Sequence, residues 1–193
     1  MTLDSAAVLE LFRQSEGLLE GHFQLSSGLH SSGYLQCARV LQYPERAERL
    51  GRALAAEIAR LDPTVVLSPA LGGVVLGHEV ARALGVRALF VERRAGRLVL
   101  RRGFQVASCE RVLVVEDVVT TGLSTRETIA VATATGATVV GASALIDRGD
   151  PPAEFDLPFH ALLRFPLSTH EPVDCPLCAC GEPVIKPGSR SPA

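Results

Sequence analysis

Residues 112–146 constrain the fold more than any other part of the chain. Val112 to Val115 reads as a continuous apolar strand. Glu116, Asp117, Val118 and Val119 follow, then a small turn, Thr120-Thr121-Gly122-Leu123. A helix is expected from Ser124 to Thr135, closed by Gly136, and Thr138 to Ile146 is a second buried strand. Two apolar strands around one helix describe a βαβ unit, which needs parallel strands in a sheet covered on both faces. Ser124 and Glu127 fit a capping box at the helix start.

The alternation recurs elsewhere. Ser5 to Glu16 reads as a helix with Val8, Leu9 and Phe12 on one face. Glu45 to Leu61 is a stronger helix, with Ala47, Leu50, Leu54, Ile58 and Leu61 at helical spacing and Pro63 as its stop. Val65 to Leu67 reads as a strand, Gly72 to Leu84 as an apolar helix, Ala88 to Val91 as a strand and His160 to Phe165 as a last strand. Gly21 to Leu35, rich in Gly, Ser and His, reads as loop with short extended pieces. Glu92 to Gly103 carries Arg93, Arg94, Arg97, Arg101 and Arg102 around Gly96 and reads as a mobile hairpin or loop. The expected class is α/β, a central, mostly parallel sheet flanked by helices. Residues 1–170 are expected to form one domain with a small N-terminal hood of about 1–40, and 171–193 a Cys-containing tail, partly disordered.

Composition narrows the function. Hydrophobic residues make up 47% of the chain, yet none of its apolar runs approaches the ~20 residues of a membrane span. Met1 to Glu10 lacks a basic region followed by an apolar core, so a cytoplasmic location is expected. A net charge of -2 argues against a general nucleic-acid binder. Lys186 is the only lysine, beside 18 arginines, so a cationic site must be built from Arg.

Cys37, Cys109, Cys175, Cys178 and Cys180 are too sparse for a disulfide framework. Cys175-Pro176-Leu177-Cys178 has the spacing of a zinc knuckle, which supplies two ligands. Cys180 and His170 could complete four, but Cys180 is one residue too close for a second knuckle. A reduced pair or a disulfide are the alternatives, and no metal ligand is assigned. His22 and His30 have no obvious base partner and are expected to be structural or on the surface.

The chemistry concentrates at Glu116 to Ser124. A buried strand delivers two carboxylates to its carboxyl end, and a hydroxyl-rich turn leads into a helix. The first N–H groups of that helix lack internal partners and sit at its positive end, which suits a phosphate. Thr120, Thr121 and Ser124 add hydroxyl donors, and Gly122 lets the backbone come close. Glu116 and Asp117 suit the two vicinal hydroxyls of a ribose. The segment is not a P-loop: Gly72 to Gly77 has the spacing, but His78-Glu79 follows where Lys and Ser or Thr are required.

The thirteen-residue pattern from Val112 to Ser124 resembles the phosphoribosyl pyrophosphate (PRPP) signature of the type I phosphoribosyltransferases. Within that family the chain is similar to the orotate phosphoribosyltransferases, from about Leu9 to Phe165. Gly21 to Gly28 with Ser31 and Tyr34 resembles the segment that covers orotate. Pro69-Ala70-Leu71-Gly72-Gly73 resembles the pyrophosphate loop, and Asp147-Arg148 the position whose Arg contacts orotate. The resemblance implies a Mg2+-dependent transfer of ribose 5-phosphate from PRPP to orotate, giving orotidine 5-monophosphate and pyrophosphate. It implies Glu116 and Asp117 as catalytic residues on the ribose hydroxyls. Glu116, Asp117, Val118, Val119, Thr120, Thr121, Gly122, Leu123 and Ser124 would bind PRPP, together with Arg93. Thr120 and Arg148 would contact orotate, with backbone near Tyr34 and Leu35 against its ring. Mg2+ would bridge substrate oxygens. A homodimer is implied, in which the basic loop of one subunit covers the other's site.

Three departures stand out. Ser26 and Gly72 occupy places where the family often has Lys, and Glu92-Arg93 stands where an Arg-Lys pair is usual. Arg148 has a competing role, pairing with Asp147 and Asp150. The rival functions are a purine or uracil phosphoribosyltransferase, or a PRPP-sensing regulator of the same fold. A PRPP synthetase would need an ATP site, of which the sequence gives no sign.

Overall fold

The structure, a computed structural model, describes residues 3–25 and 28–186. In chain order it comprises α1 (Ser5–Gln14), β1 (Leu18–Gln24), β2 (His30–Leu35), α2 (Cys37–Leu41), α3 (Pro44–Ile58), β3 (Val65–Pro69), α4 (Gly72–Leu84), β4 (Arg87–Arg94) and β5 (Arg97–Leu100). There follow β6 (Arg111–Val119), α5 (Leu123–Thr133), β7 (Thr138–Asp147), β8 (Phe159–Arg164), β9 (Thr169–His170) and the short α6 (Pro176–Ala179).

Six strands form the main sheet in the order β5-β4-β3-β6-β7-β8. All neighbours are parallel except β5, which returns antiparallel on β4. The apolar runs are continuous because both faces are covered. Val66, Leu113 and Val115 join the core under α1 to α4, while Val65, Leu67, Val112 and Val114 pack on the opposite face with Ala132 of α5. Period-two alternation therefore sorts the residues of one strand into two cores rather than into core and solvent.

Three expectations need correction. Gly21 to Leu35 is not mainly loop: β1 and β2 form an antiparallel hairpin with an irregular register between Glu20 and Phe23. β6 does not stop at Val115 but runs on through both acids, pairing Val118 with Ile146 and Val119 with Asp147. Acidic residues are poor strand formers, so sequence composition ends the strand early, while pairing with β7 carries it on. The capping box does not form. Gly122, at φ 77°, is the N-cap of α5 and no side chain caps the helix, while Glu127 turns away to Arg93 at 2.5 Å.

Glu92 to Gly103 is a β-hairpin, with Ala95 (φ 48°) and Gly96 (φ 81°) in the left-handed region at its two-residue turn. The cysteine-containing tail is joined to the hood: β9 pairs with β2, and Ile185 bridges to Phe23. The part of the expected tail from 187 to 193 lies outside the described residues.

Candidate functional site

The carboxyl ends of β6 and β7 open onto a cleft of about 870 Å3. Its floor is Glu116 and the run from Val118 to Thr125; Arg148 to Pro151 form one wall, and Leu25, Leu29 and Leu167 to His170 the other. The second wall belongs to the hood, so the hairpin and β9 help enclose the site.

The phosphate turn is built as its residue types suggest. Gly122 must be glycine: its φ is left-handed, and a Cβ there would lie 2.8 Å from the Phe155 ring. With no side-chain cap on α5, the first-turn N–H groups remain available to an anion. Arg126 braces the turn, its guanidinium donating to the Thr121 carbonyl at 2.5 Å and the Glu154 carbonyl at 2.8 Å while lying over Phe155. Nothing in the sequence singled out Arg126, one arginine among eighteen.

Glu116 and Asp117 sit where β6 meets the start of α4. Glu116 is 7% exposed, and its Oε1 accepts the Asp117 N–H at 3.1 Å. Asp117 Oδ1 accepts the Val118 N–H at 2.9 Å. Burial, and then the neighbouring Asp117 charge, push the Glu116 carboxyl up to about 9. Asp117 is not among the residues facing the cleft; its carboxylate lies against Gly72. A Cβ on Gly72 would be 2.5 Å from Asp117 Oδ2, so the missing lysine has no room in this arrangement. Gly72→Ala is expected to lower kcat/KM by displacing Asp117, with Tm nearly unchanged because a short side chain can swing aside. An unchanged kcat/KM would show that the position of Asp117 is immaterial.

Arg148 follows β7 and is 8% exposed, with its backbone N–H on the Val119 carbonyl at 2.8 Å. Its Nε has no hydrogen-bond partner among the described residues, and burial holds its pKa below the usual guanidinium value. The competing role fails: Asp147 accepts instead from the Gly149 N–H and from Arg164 at 3.3 Å. Thr120 and Arg148 line the same cleft. Arg93 does not reach it. Its guanidinium is held by Glu127 and by the Gly96 carbonyl at 2.7 Å. Arg101 and Arg102 pair with Glu92, leaving Arg94 and Arg97 without ion pairs among the described residues. Ser26, the other missing lysine, lies outside the described residues. His22 and His30 are not on the surface: they are 3% and 5% exposed and meet Cys175 and Cys178.

A parallel sheet with an acidic strand end, an uncapped glycine-led helix and a cleft between them is the architecture of the type I phosphoribosyltransferases. Among solved structures, the Mycobacterium tuberculosis orotate phosphoribosyltransferase in complex with inorganic phosphate superposes with a TM-score of 0.69 at 28% identity, covering 83% of this chain and 95% of that one. The Aeropyrum pernix orotate phosphoribosyltransferase gives 0.65 at 25% identity, covering 82% and 93%. An adenine phosphoribosyltransferase from Thermoanaerobacter pseudethanolicus gives 0.58 at 16% identity, covering 69% and 88%, so the fold is shared across bases. No protein-family model matches the chain.

Sequence relatives carry the assignment further. The orotate phosphoribosyltransferase of Heliobacterium modesticaldum is 53% identical, covering 95% of this chain and 97% of its own. That of Acidithiobacillus ferrooxidans is 54% identical, covering 98% of each. The chain belongs to the orotate phosphoribosyltransferase family.

Proposed function

We propose that the protein transfers ribose 5-phosphate from PRPP to orotate, releasing pyrophosphate and forming orotidine 5-monophosphate, the step that commits a pyrimidine ring to UMP. The observation that carries this reading is Arg148. A buried guanidinium whose Nε lacks a partner and that forms no ion pair among the described residues, in the same cleft as an uncapped helix start, favours a base that brings its own carboxylate. Purines and uracil would leave it unpaired in a buried site, which is costly.

In this reading the 5-phosphate rests on the α5 start at Thr120 to Ser124. Glu116, on the cleft floor, accepts from the ribose hydroxyls, and Asp117 joins it when its carboxylate turns from Gly72 toward the cleft. As the bond to pyrophosphate lengthens, positive charge builds on the ribose ring and these acids stabilise it. Mg2+ would suit this place: Glu116, raised to about 9 by burial and then by the Asp117 charge, and the Asp117 carboxylate beside it form an acidic pair that a cation would relieve. It would supply Lewis-acid stabilisation of the leaving pyrophosphate, held mainly by substrate oxygens with Glu116 and Asp117 nearby. We place the enzyme in the cytoplasm as a homodimer that shares its active sites. Among the described residues, no helix is long and apolar enough to cross a membrane.

An ultraviolet assay with PRPP against orotate, uracil, adenine, hypoxanthine and xanthine tests the reading; turnover of any base but orotate would replace it. A gel shift beside that assay tests the regulator alternative. Arg148→Ala is expected to weaken orotate binding at least about tenfold, ~1.4 kcal/mol, and to leave PRPP affinity nearly intact. Isothermal titration with each substrate decides. Equal losses, or loss for PRPP alone, would assign Arg148 to the phosphate site or to the fold.

A further inference from the structure

The hood and the C-terminal segment meet at four side chains that the transferase chemistry does not use. His22 lies on β1, His30 begins β2, and Cys175 and Cys178 flank the first turn of α6. One ligand atom from each lies within 4.8 Å of the other three. His22 Nε2 is 2.8 Å from His30 Nδ1, 3.5 Å from Cys175 Sγ and 3.7 Å from Cys178 Sγ, and Cys178 Sγ is 3.2 Å from His30 Nδ1. We infer that these residues form a structural zinc site, His2Cys2, that staples the C-terminal segment to the hood.

Three observations carry the inference. The first is spacing. Tetrahedral zinc with bonds of about 2.0 Å to nitrogen and about 2.3 Å to sulfur has ligand–ligand edges of roughly 3.3 to 3.8 Å; the two His22–cysteine distances fall in that range, the 3.2 Å His30–Cys178 distance lies just below it, and the 2.8 Å His22–His30 distance must open by a few tenths of an ångström when the ion enters. The second is orientation. The other nitrogen of His22, Nδ1, lies 2.8 Å from the Glu182 carbonyl. That carbonyl can only accept, so Nδ1 carries the proton and Nε2 turns a lone pair toward the cluster. An outer carbonyl fixing the tautomer of a ligating imidazole is the usual support of a metal site. The third is burial. His22, His30 and Cys175 are 3%, 5% and 2% exposed. Nε2 of His22, with its ring proton already committed, faces three groups that could satisfy it only one at a time; a single cation engages all four.

Ligand chemistry selects the metal. Two thiols and two imidazoles are soft and borderline donors that favour zinc over magnesium or calcium. Four protein ligands also leave no open position, so the site is structural rather than catalytic. It shares no residue with the phosphate turn. The hood side of the cleft, from Leu25 and Leu29 to Leu167 and His170, hangs from the strands that it joins. The cysteine spacing gave the first half of this site. Its second half comes from histidines about 150 residues away, while Cys180 is exposed and His170 lines the cleft instead.

The full-length protein, expressed with zinc supplied and purified without chelator, is expected to hold one zinc ion per chain by elemental analysis. Exchange with Co2+ should give the intense thiolate-to-cobalt absorption and the visible bands of a tetrahedral site. Cys178→Ser, at the most exposed ligand, should lower zinc content and abolish the thiolate band, and His30→Ala should do the same. Cys180→Ser and Cys109→Ser should keep both. Because losing a ligand can also unfold the segment, cobalt spectroscopy of the unmutated protein stands as the independent measurement. Zinc near zero with no cobalt spectrum would overturn the site. So would a Cys175–Cys178 disulfide revealed by thiol titration of the unreduced protein, or equal zinc loss in Cys180→Ser.

Discussion

Glu116→Gln is expected to make the free protein more stable and the enzyme slower. The side chain is 7% exposed and its carboxyl is pushed from 4.5 up to about 9, first by burial and then by Asp117. Because the folded-state pKa lies above the unfolded one, the folded protein binds more protons than the unfolded chain between about 4.5 and about 9, so stability falls as pH rises through that window. Glutamine is neutral in both states and removes that slope. Tm of the variant should therefore exceed wild type at pH 8, with the difference shrinking toward pH 4.5. The kcat/KM should nonetheless fall at least about tenfold, ~1.4 kcal/mol, because an amide accepts weakly from the ribose diol and carries no charge to meet the transition state. Binding of Mg2+ and PRPP to wild type should release a proton, measurable by calorimetry in buffers of different ionisation heat. A Tm that drops with kcat/KM unchanged would make Glu116 a structural acid.

That opposition between stability and use explains what was legible in the sequence. The run from Val112 to Ser124 announced itself because an apolar strand, two adjacent acids and a hydroxyl-rich turn holding Gly122 follow one another within thirteen residues. Locally inconsistent residues are where function is expected. The parallel sheet was equally legible, since strands buried on both faces must be apolar throughout. What escaped were features made by distant partners. The hood hairpin has little apolar alternation of its own and is completed by β9, more than 130 residues later. Glu127 looked like half of a capping box because only its separation from Ser124 was visible; its real partner, Arg93, lies 34 residues away. His22 and His30 gave no signal until the fold set Cys175 and Cys178 beside them.

Arg93 leads to the second large effect. A subunit carrying Arg93→Ala and a subunit carrying Asp117→Asn are each expected to be nearly inactive as homodimers, and to recover activity when mixed. Arg93 lies on an arginine-rich hairpin and points within its own chain to Glu127. That ion pair is exposed, so it is weak and easily exchanged for a stronger anion. Pyrophosphate is such an anion, and without the family's usual lysines only arginine or Mg2+ can meet its charge. Arg94 and Arg97 flank the hairpin turn, where they could follow Arg93 into a closed site. Closure would also exclude water from an oxocarbenium-like centre that water would otherwise capture. If the hairpin serves the partner subunit, a mixed dimer has one site with both defects and one with neither. Random one-to-one exchange then restores about a quarter of wild-type activity, because half of the dimers are mixed and each has one sound site. If the hairpin serves its own subunit, every site keeps one defect and nothing returns. Proven subunit exchange without recovery would sink the shared-site arrangement, and a fully active Arg93→Ala homodimer would remove Arg93 from the mechanism altogether.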